Sequence, residues 1–260
     1  MRALNIDVPP ELASRWIDWL MPELQPYVVP VSMAADRGWN DARDSLPMEV
    51  FDSFEIYSLP KESRIVLLSR SDARTLPTAL RRAQAATHRW PSPARIRNEE
   101  RVLSFVNEGR RPSRHAEVSE ETWRAARTVL PGAREVAGTF SNGSGPNCFA
   151  MVMASAGIVG AANEWMQIEP FERWLAQSAV PVGLDVDAGT VMVWRTTDGQ
   201  AAHAGVTLGD GWYLHKRSQG WMSPTKVLTT IEGKYSSRAR GLHLHRYKLV
   251  TRQRSLGLAL

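Results

Sequence analysis

The sequence predicts an α+β protein in which helices come first and consecutive antiparallel strands follow. Three observations carry this. Apolar residues recur at helical spacing within the first 130 residues, at 11–21 and again after Ser119. The texture changes at Gly138, where a Gly/Ser/Asn loop runs into an unbroken apolar stretch. Beyond residue 188 short β-like segments succeed one another, two of them joined through Gly209-Asp210-Gly211, a strong hairpin signal.

The elements follow in order. In residues 11–21, Leu12, Trp16, Trp19 and Leu20 form one apolar stripe of a helix. Residues 51–59 and 64–70 read as two short extended runs around the turn Pro60-Lys61-Glu62-Ser63, with Ile65-Val66-Leu67-Leu68 the more buried. Residues 79–88 read as an Arg-faced helix ended by Trp90-Pro91-Ser92-Pro93. Scattered Pro, Arg and Ser make 91–118 a linker or a loosely packed surface segment. Ser119 caps a helix that carries Glu120 and Glu121 in its first turn and Trp123, Ala126 and Leu130 on one face, and Pro131-Gly132 stops it. The loop 138–147 then enters a buried helix at 148–156, closed by Gly157. Strands are expected at 190–195, 203–208, 212–216 and 242–250. No internal repeat interrupts this order.

At 260 residues the chain fits one large domain or two small ones. The order of elements divides it into a mostly helical region 1–130, whose role the sequence does not state, and a second domain 131–260. Hydrophobic residues at 43% and charged residues at 23% exclude collagen-like, disulfide-rich and wholly disordered classes. The formal charge of +5 is unevenly spread. Residues 1–50 hold 4 basic and 8 acidic side chains, residues 64–114 hold 12 and 4, and residues 211–260 hold 10 and 1. Two Arg-rich blocks attract polyanions in principle. No aromatic-interleaved motif accompanies them, so nucleic acid is not an expected partner, and solvated faces of a basic protein are the simpler reading. The N-terminus lacks the apolar run of a secretory signal, and nothing approaches the ~18 consecutive apolar residues of a membrane span. The cytoplasm is the expected location, with no membrane partner and with export that reads no N-terminal signal left open. The oligomeric state is not set.

The single cysteine, Cys148, rules out an intrachain disulfide and a multi-cysteine metal site. Asn147 is placed to cap the apolar helix and Cys148 to open it, so the unpaired N–H groups of the helix head are expected to favour a thiolate. The glycines of Gly143-Ser144-Gly145 permit the backbone to approach a substrate closely. A lone cysteine is more often a small buried hydrophobe. His203 and His215 lie twelve apart with the turn centred on Gly209. In a simple register they oppose each other directly, with Cβ atoms ~5 Å apart on one face, unless a bulge at Gly209 or Gly211 alters it. That pair suits a base, His203, whose tautomer His215 fixes; two histidines opposed by chance is the alternative.

These residues resemble the NlpC family of papain-like cysteine hydrolases over roughly 136–250. Residues 138–152, from Gly138 through Asn147-Cys148-Phe149-Ala150 to Val152, resemble its nucleophile segment. Ala188-Gly189-Thr190-Val191-Met192-Val193-Trp194 is similar to its strand entrance, and the run from His203-Ala204-Gly205 through Gly209-Asp210-Gly211 to His215 is similar to its signature hairpin. The resemblance implies Cys148 as nucleophile, His203 as base, His215 as orienting residue, and a cysteine-bearing helix packed on a small antiparallel sheet. It implies no metal and no organic cofactor. Members are mostly bacterial endopeptidases of peptidoglycan stem peptides. Where the family carries Asp-Cys-Ser-Gly this chain carries Asn147-Cys148-Phe149-Ala150, and Phe140 stands at a position often filled by tyrosine. Loss of an anion and a hydroxyl weakens the hold on an ammonium group, and an apolar wall at Phe149 suits an acyl chain or aromatic substituent. Phe140, Asn147 and Phe149 are therefore the expected substrate-binding residues. The expected function is a cysteine peptidase or amidase that cleaves an amide bond of a peptide or acylated small molecule through an acyl-enzyme. A stem-peptide endopeptidase, an intracellular acyl- or amide-transfer enzyme and a non-catalytic polyanion-binding module are the forms left open.

Other motifs carry less. His243 and His245 face one side of a strand, a half-site for metal with no acid or cysteine near to complete it. His88 and His115 sit in Arg-rich polar stretches and are expected to be solvated. No serine-hydrolase elbow, Walker loop or dinucleotide fingerprint occurs.

Overall fold

A computed structural model describes residues 1–250; the last ten residues of the expected second domain lie outside them. The chain divides into two compact units, Met1–Arg110 with Asn142–Ser144, and the remainder from Arg111. The division falls upstream of Leu130 because Trp123, Ala126 and Leu130, on and just after the Ser119-capped helix, belong to the core of the second unit.

In the first unit, strands β1 (Arg2–Ala3) and β2 (Ile6–Asp7) form a minimal hairpin. Helix α1 (Pro10–Leu20) follows, with Pro10 at its first position and Leu12, Trp16 and Leu20 buried as the stripe predicts. Strand β3 (Gln25–Pro30), helices α2 (Val31–Asp36) and α3 (Met48–Phe54), and strand β4 (Ser63–Leu68) come next. β3 pairs antiparallel with β4, from Gln25↔Leu68 to Pro30↔Ser63. Two expectations are corrected here. Residues 51–59 are not extended: Val50 and Phe54 stand one helical turn apart and bury together against Ile65. The true partner of β4 holds two prolines, which a two-stranded sheet tolerates because each strand has a free edge.

The unit closes with α4 (Arg70–Arg74), α5 (Thr78–Gln84) and α6 (Arg95–Asn107). The last lies within the segment read as a linker. Asn98, Val102 and Val106 recur every fourth residue and bury one face, but ten of its thirteen residues lie off that face and mask the period.

The second unit contains α7 (Glu120–Ala126), α8 (Ala133–Val136), α9 (Cys148–Ser155) and α10 (Ile168–Ser178). Strands β5 (Ala179–Pro181), β6 (Thr190–Arg195), β7 (Ala201–Gly209), β8 (Trp212–Lys216) and β9 (Thr225–Thr229) follow, then α11 (Thr230–Ser237) and β10 (His243–Leu249). The six strands make one antiparallel sheet in the order β5-β10-β6-β7-β8-β9. Val191, Val193, Ala204, Val206, Leu214 and Val227 bury one face in the core that includes α9. Met192, Trp194 and Tyr213 bury the opposite face with Leu242 and Leu244. The mixed α and β content with consecutive antiparallel strands is the class the sequence predicts.

Candidate active site

Helix α9 is apolar on every side, and all eight of its residues are buried. Such a helix needs an explicit polar start. Asn147 supplies it, as the sequence predicts: its Oδ1 accepts from the Ala150 N–H at 3.0 Å and its Nδ2 donates to the Met166 carbonyl at 2.7 Å. The loop before it is also spoken for. Gly145 N–H donates to the Gln219 carbonyl at 3.0 Å. Within the first unit, the Ser144 N–H donates to Glu49 at 2.8 Å and the Ser144 hydroxyl donates to Asp52. Ser144 there answers two carboxylates, one through its backbone N–H and one through its hydroxyl.

Cys148 is 7% exposed at the helix head. Burial pushes its thiol up to about 11, against the opposing pull of backbone hydrogen bonds from Ala204, Phe149 and Cys148 itself and of the Lys216 cation. The expected thiolate is therefore corrected. Helix-head N–H groups stabilise the anion, yet desolvation wins, and the group rests as a neutral thiol.

The hairpin places the imidazoles. Asp210 and Gly211 both take positive φ, 49° and 78°, as a type I′ turn requires, and Gly209 faces Trp212 across it. The register then shifts between Thr207 and Gly209, and continues as Thr207↔Tyr213 and Val206↔Leu214. The simple register centred on Gly209 is corrected by the turn at Asp210-Gly211 together with this bulge. His215 falls opposite Gly205, and His203 meets it diagonally. An even shift keeps both rings on one face, and His215 Nδ1 lies 3.4 Å from His203 Nε2 with the rings at 87°. Gly205 is required between them, since a Cβ there would overlap the Tyr213 hydroxyl.

His203 packs on Trp194, with ring centroids 5.6 Å apart, and His215 on Tyr213, at 5.2 Å. Burial depresses the His203 imidazole to about 4, with Arg217 adding to the effect. His215 is fully buried and held well below its ordinary range by burial, then by His203, Lys226 and Arg217. Both rings are neutral at neutral pH. For His203 to accept a proton at Nδ1, its Nε2 must carry hydrogen and donate to His215. His215 then carries hydrogen on Nε2, a buried atom with no partner among the described residues.

The His203 ring packs on Trp194, on the sheet face opposite the one that buries Ala204 against α9, so what the sulfur meets on β7 is backbone and not the imidazole. Cys148 Sγ lies against the peptide that joins His203 to Ala204. No hydrogen bond joins Sγ to either imidazole among the described residues.

The remaining expected residues separate. Phe149 points into the core, stacked on Phe171 with centroids 4.4 Å apart, so it is no pocket wall. Asn147 spends both ends of its amide on the cap and on Met166. Phe140 is half-buried beside Thr139, whose carbonyl accepts from Thr225 N–H at the edge of β9. Sequence reasoning missed two buried cations. Lys216 donates to the Gly220 carbonyl at 3.3 Å and to that of Ser223; Lys226, directly opposite His215, donates to the Arg111 carbonyl at 2.9 Å. Their signal was a lysine inside each of two strands whose other positions bury.

His88 is not solvated. Its Nδ1 lies 2.6 Å from the Gln84 carbonyl and its Nε2 2.9 Å from that of Pro26, with the Tyr27 ring centroid 4.0 Å away at a tilt of 35°. His115 is half-buried and bonds Ser113 Oγ at 3.0 Å. Among the described residues no group of three or more His, Cys, Asp or Glu is placed to hold a metal, and no helix is long and apolar enough to cross a membrane. Comparison with known proteins finds no matching family model, no matching curated protein and no matching solved structure.

Proposed function

We propose that the second unit is a cysteine-dependent acyl-transfer enzyme with an NlpC-type papain-like core, cleaving an amide or ester bond. One observation carries the reading: Cys148, at the capped head of α9, has its sulfur against the His203–Ala204 peptide, and the His203 ring is backed by a second imidazole at 3.4 Å.

The chemistry starts from neutral partners. As Sγ bonds to the carbonyl carbon, the thiol proton passes to His203 Nδ1, and the Cys148 N–H faces the developing oxyanion. His215 accepts from His203 Nε2 and fixes the tautomer that leaves Nδ1 open. The imidazolium returns its proton to the departing amine or alcohol, leaving a thioester on Cys148. Water then attacks that thioester, His203 taking its proton, and the acid and free thiol are released. An amine in place of water gives acyl transfer. His203 accepts a proton only as negative charge forms next to it, because its resting surroundings are apolar and cationic. Among the described residues, the side-chain charge that acts on the sulfur is the Lys216 cation. That setting favours acyl substrates without an ammonium beside the scissile bond, and so a small acylated compound over a wall peptide.

The test is turnover of an acyl nitrophenyl ester and an acyl anilide by the full chain, with mass spectrometry of the quenched protein. An acyl adduct on Cys148, lost together with turnover in Cys148→Ala, supports the reading. Turnover that persists in Cys148→Ala, or the lack of any adduct or turnover in the native chain, overturns it.

A further inference from the structure

The Arg-rich block at 64–114 has a destination that the proposed reaction does not use. In the first unit, Arg70, Arg89 and Arg101 line one cavity of about 590 Å³ together with Trp90, Phe105 and Glu108. The size is that of a small-molecule site. Three guanidinium groups against one carboxylate leave its wall with two uncompensated positive charges. None of the three arginines forms an ion pair within 4.0 Å among the described residues.

Two of the guanidinium groups are held in place by other contacts. Arg89 stacks over the Phe105 ring at 5.0 Å and donates to the Thr87 carbonyl at 2.9 Å. Arg101 donates to the Trp90 carbonyl at 2.8 Å. Each bond uses one nitrogen of a five-donor fork and leaves the others for a ligand. Burial disfavours the Arg89 charge, and Glu108 and Glu55 act on it only at longer range. A partly desolvated cation among like charges is the setting that an anion relieves. His88 also borders the cavity, but both of its ring nitrogens face backbone carbonyls, so it offers only a ring face.

We propose that this cavity binds a small phosphate monoester whose organic part is flat and apolar. The dianion matches the two uncompensated charges better than a monocarboxylate does, and its oxygens suit the arginine forks. Trp90 and Phe105 supply the apolar wall for the organic part. The site is independent of Cys148, and its test is separate from that of the proposed reaction.

The experiment is calorimetric titration of the full chain with phenyl phosphate, inorganic phosphate and benzoate. Phenyl phosphate is expected to saturate one site, to bind more tightly than either competitor, and to weaken with added salt. Arg89→Gln and Arg101→Gln are each expected to weaken it about tenfold. Arg70→Gln, at an exposed position, is expected to weaken it several-fold and serves if a more buried variant fails to fold. Cys148→Ala is expected to bind normally. No saturable binding, an affinity for benzoate equal to that for phenyl phosphate, or an affinity unchanged in Arg101→Gln and Arg70→Gln overturns the proposal.

Discussion

His88 in the first unit and the His203–His215 pair in the second are all drawn out of water, and the two settings compensate for it differently. Burial lowers the proton affinity of each ring. At His88 two backbone carbonyls answer the two ring nitrogens and favour the charged form. Beside burial, Arg217 opposes the charged form at His203, and His203, Lys226 and Arg217 oppose it at His215. The first setting fastens β3 to the end of α5. The second keeps a neutral ring pair with one buried nitrogen unpartnered, a standing cost that stability alone does not explain. Compensated polarity marks a fastener here, and uncompensated polarity marks a site.

Four measurements break or sharpen that contrast. His203→Gln is expected to lower ester turnover about 10³-fold while shifting the unfolding free energy by less than about 1 kcal/mol. His88→Ala is expected to do the reverse. It opens a space beside Tyr27 and strands the carbonyl that the ring N–H serves, lowering stability by about 3 kcal/mol in urea unfolding, with turnover per folded molecule unchanged.

Acid provides the third measurement. The folded-state affinity of His203 is depressed, so the unfolded chain takes up a proton first as pH falls below 6.5. Stability present above that pH is then lost progressively down to about 4. The loss between pH 7 and pH 5 from this group is about 2 kcal/mol, and His203→Gln should flatten it. The smallest effect belongs to Asn147→Ala, which removes the α9 cap and costs about 1 kcal/mol.

Much of the second unit was legible. Thr190–Arg195 and Trp212–Lys216 match the expected strands residue for residue, because β-branched and aromatic content and the Gly-Asp-Gly turn act locally. The cap at Asn147 was legible for the same reason. The direct opposition of His203 and His215 was not. The two-residue turn at Asp210-Gly211 and one bulge residue together moved the register by two, which leaves the face unchanged. Phe149 was misread because a helix that is apolar all round does not reveal which side meets α10. The strand Gln25–Pro30 was hidden by its prolines and α6 by its polar majority. The charge state of Cys148 could not be read at all, since burial depends on everything packed around it.

The most direct test is the rate at which Cys148 reacts with iodoacetamide as a function of pH. A thiol raised to about 11 with no imidazole bonded to it predicts a rate that climbs with pH through the neutral range and levels only near that value. The climb should be about tenfold per pH unit. A rate already at its plateau between pH 5 and pH 7 would reveal a resting thiolate–imidazolium pair and contradict the account of a proton that moves only when substrate arrives.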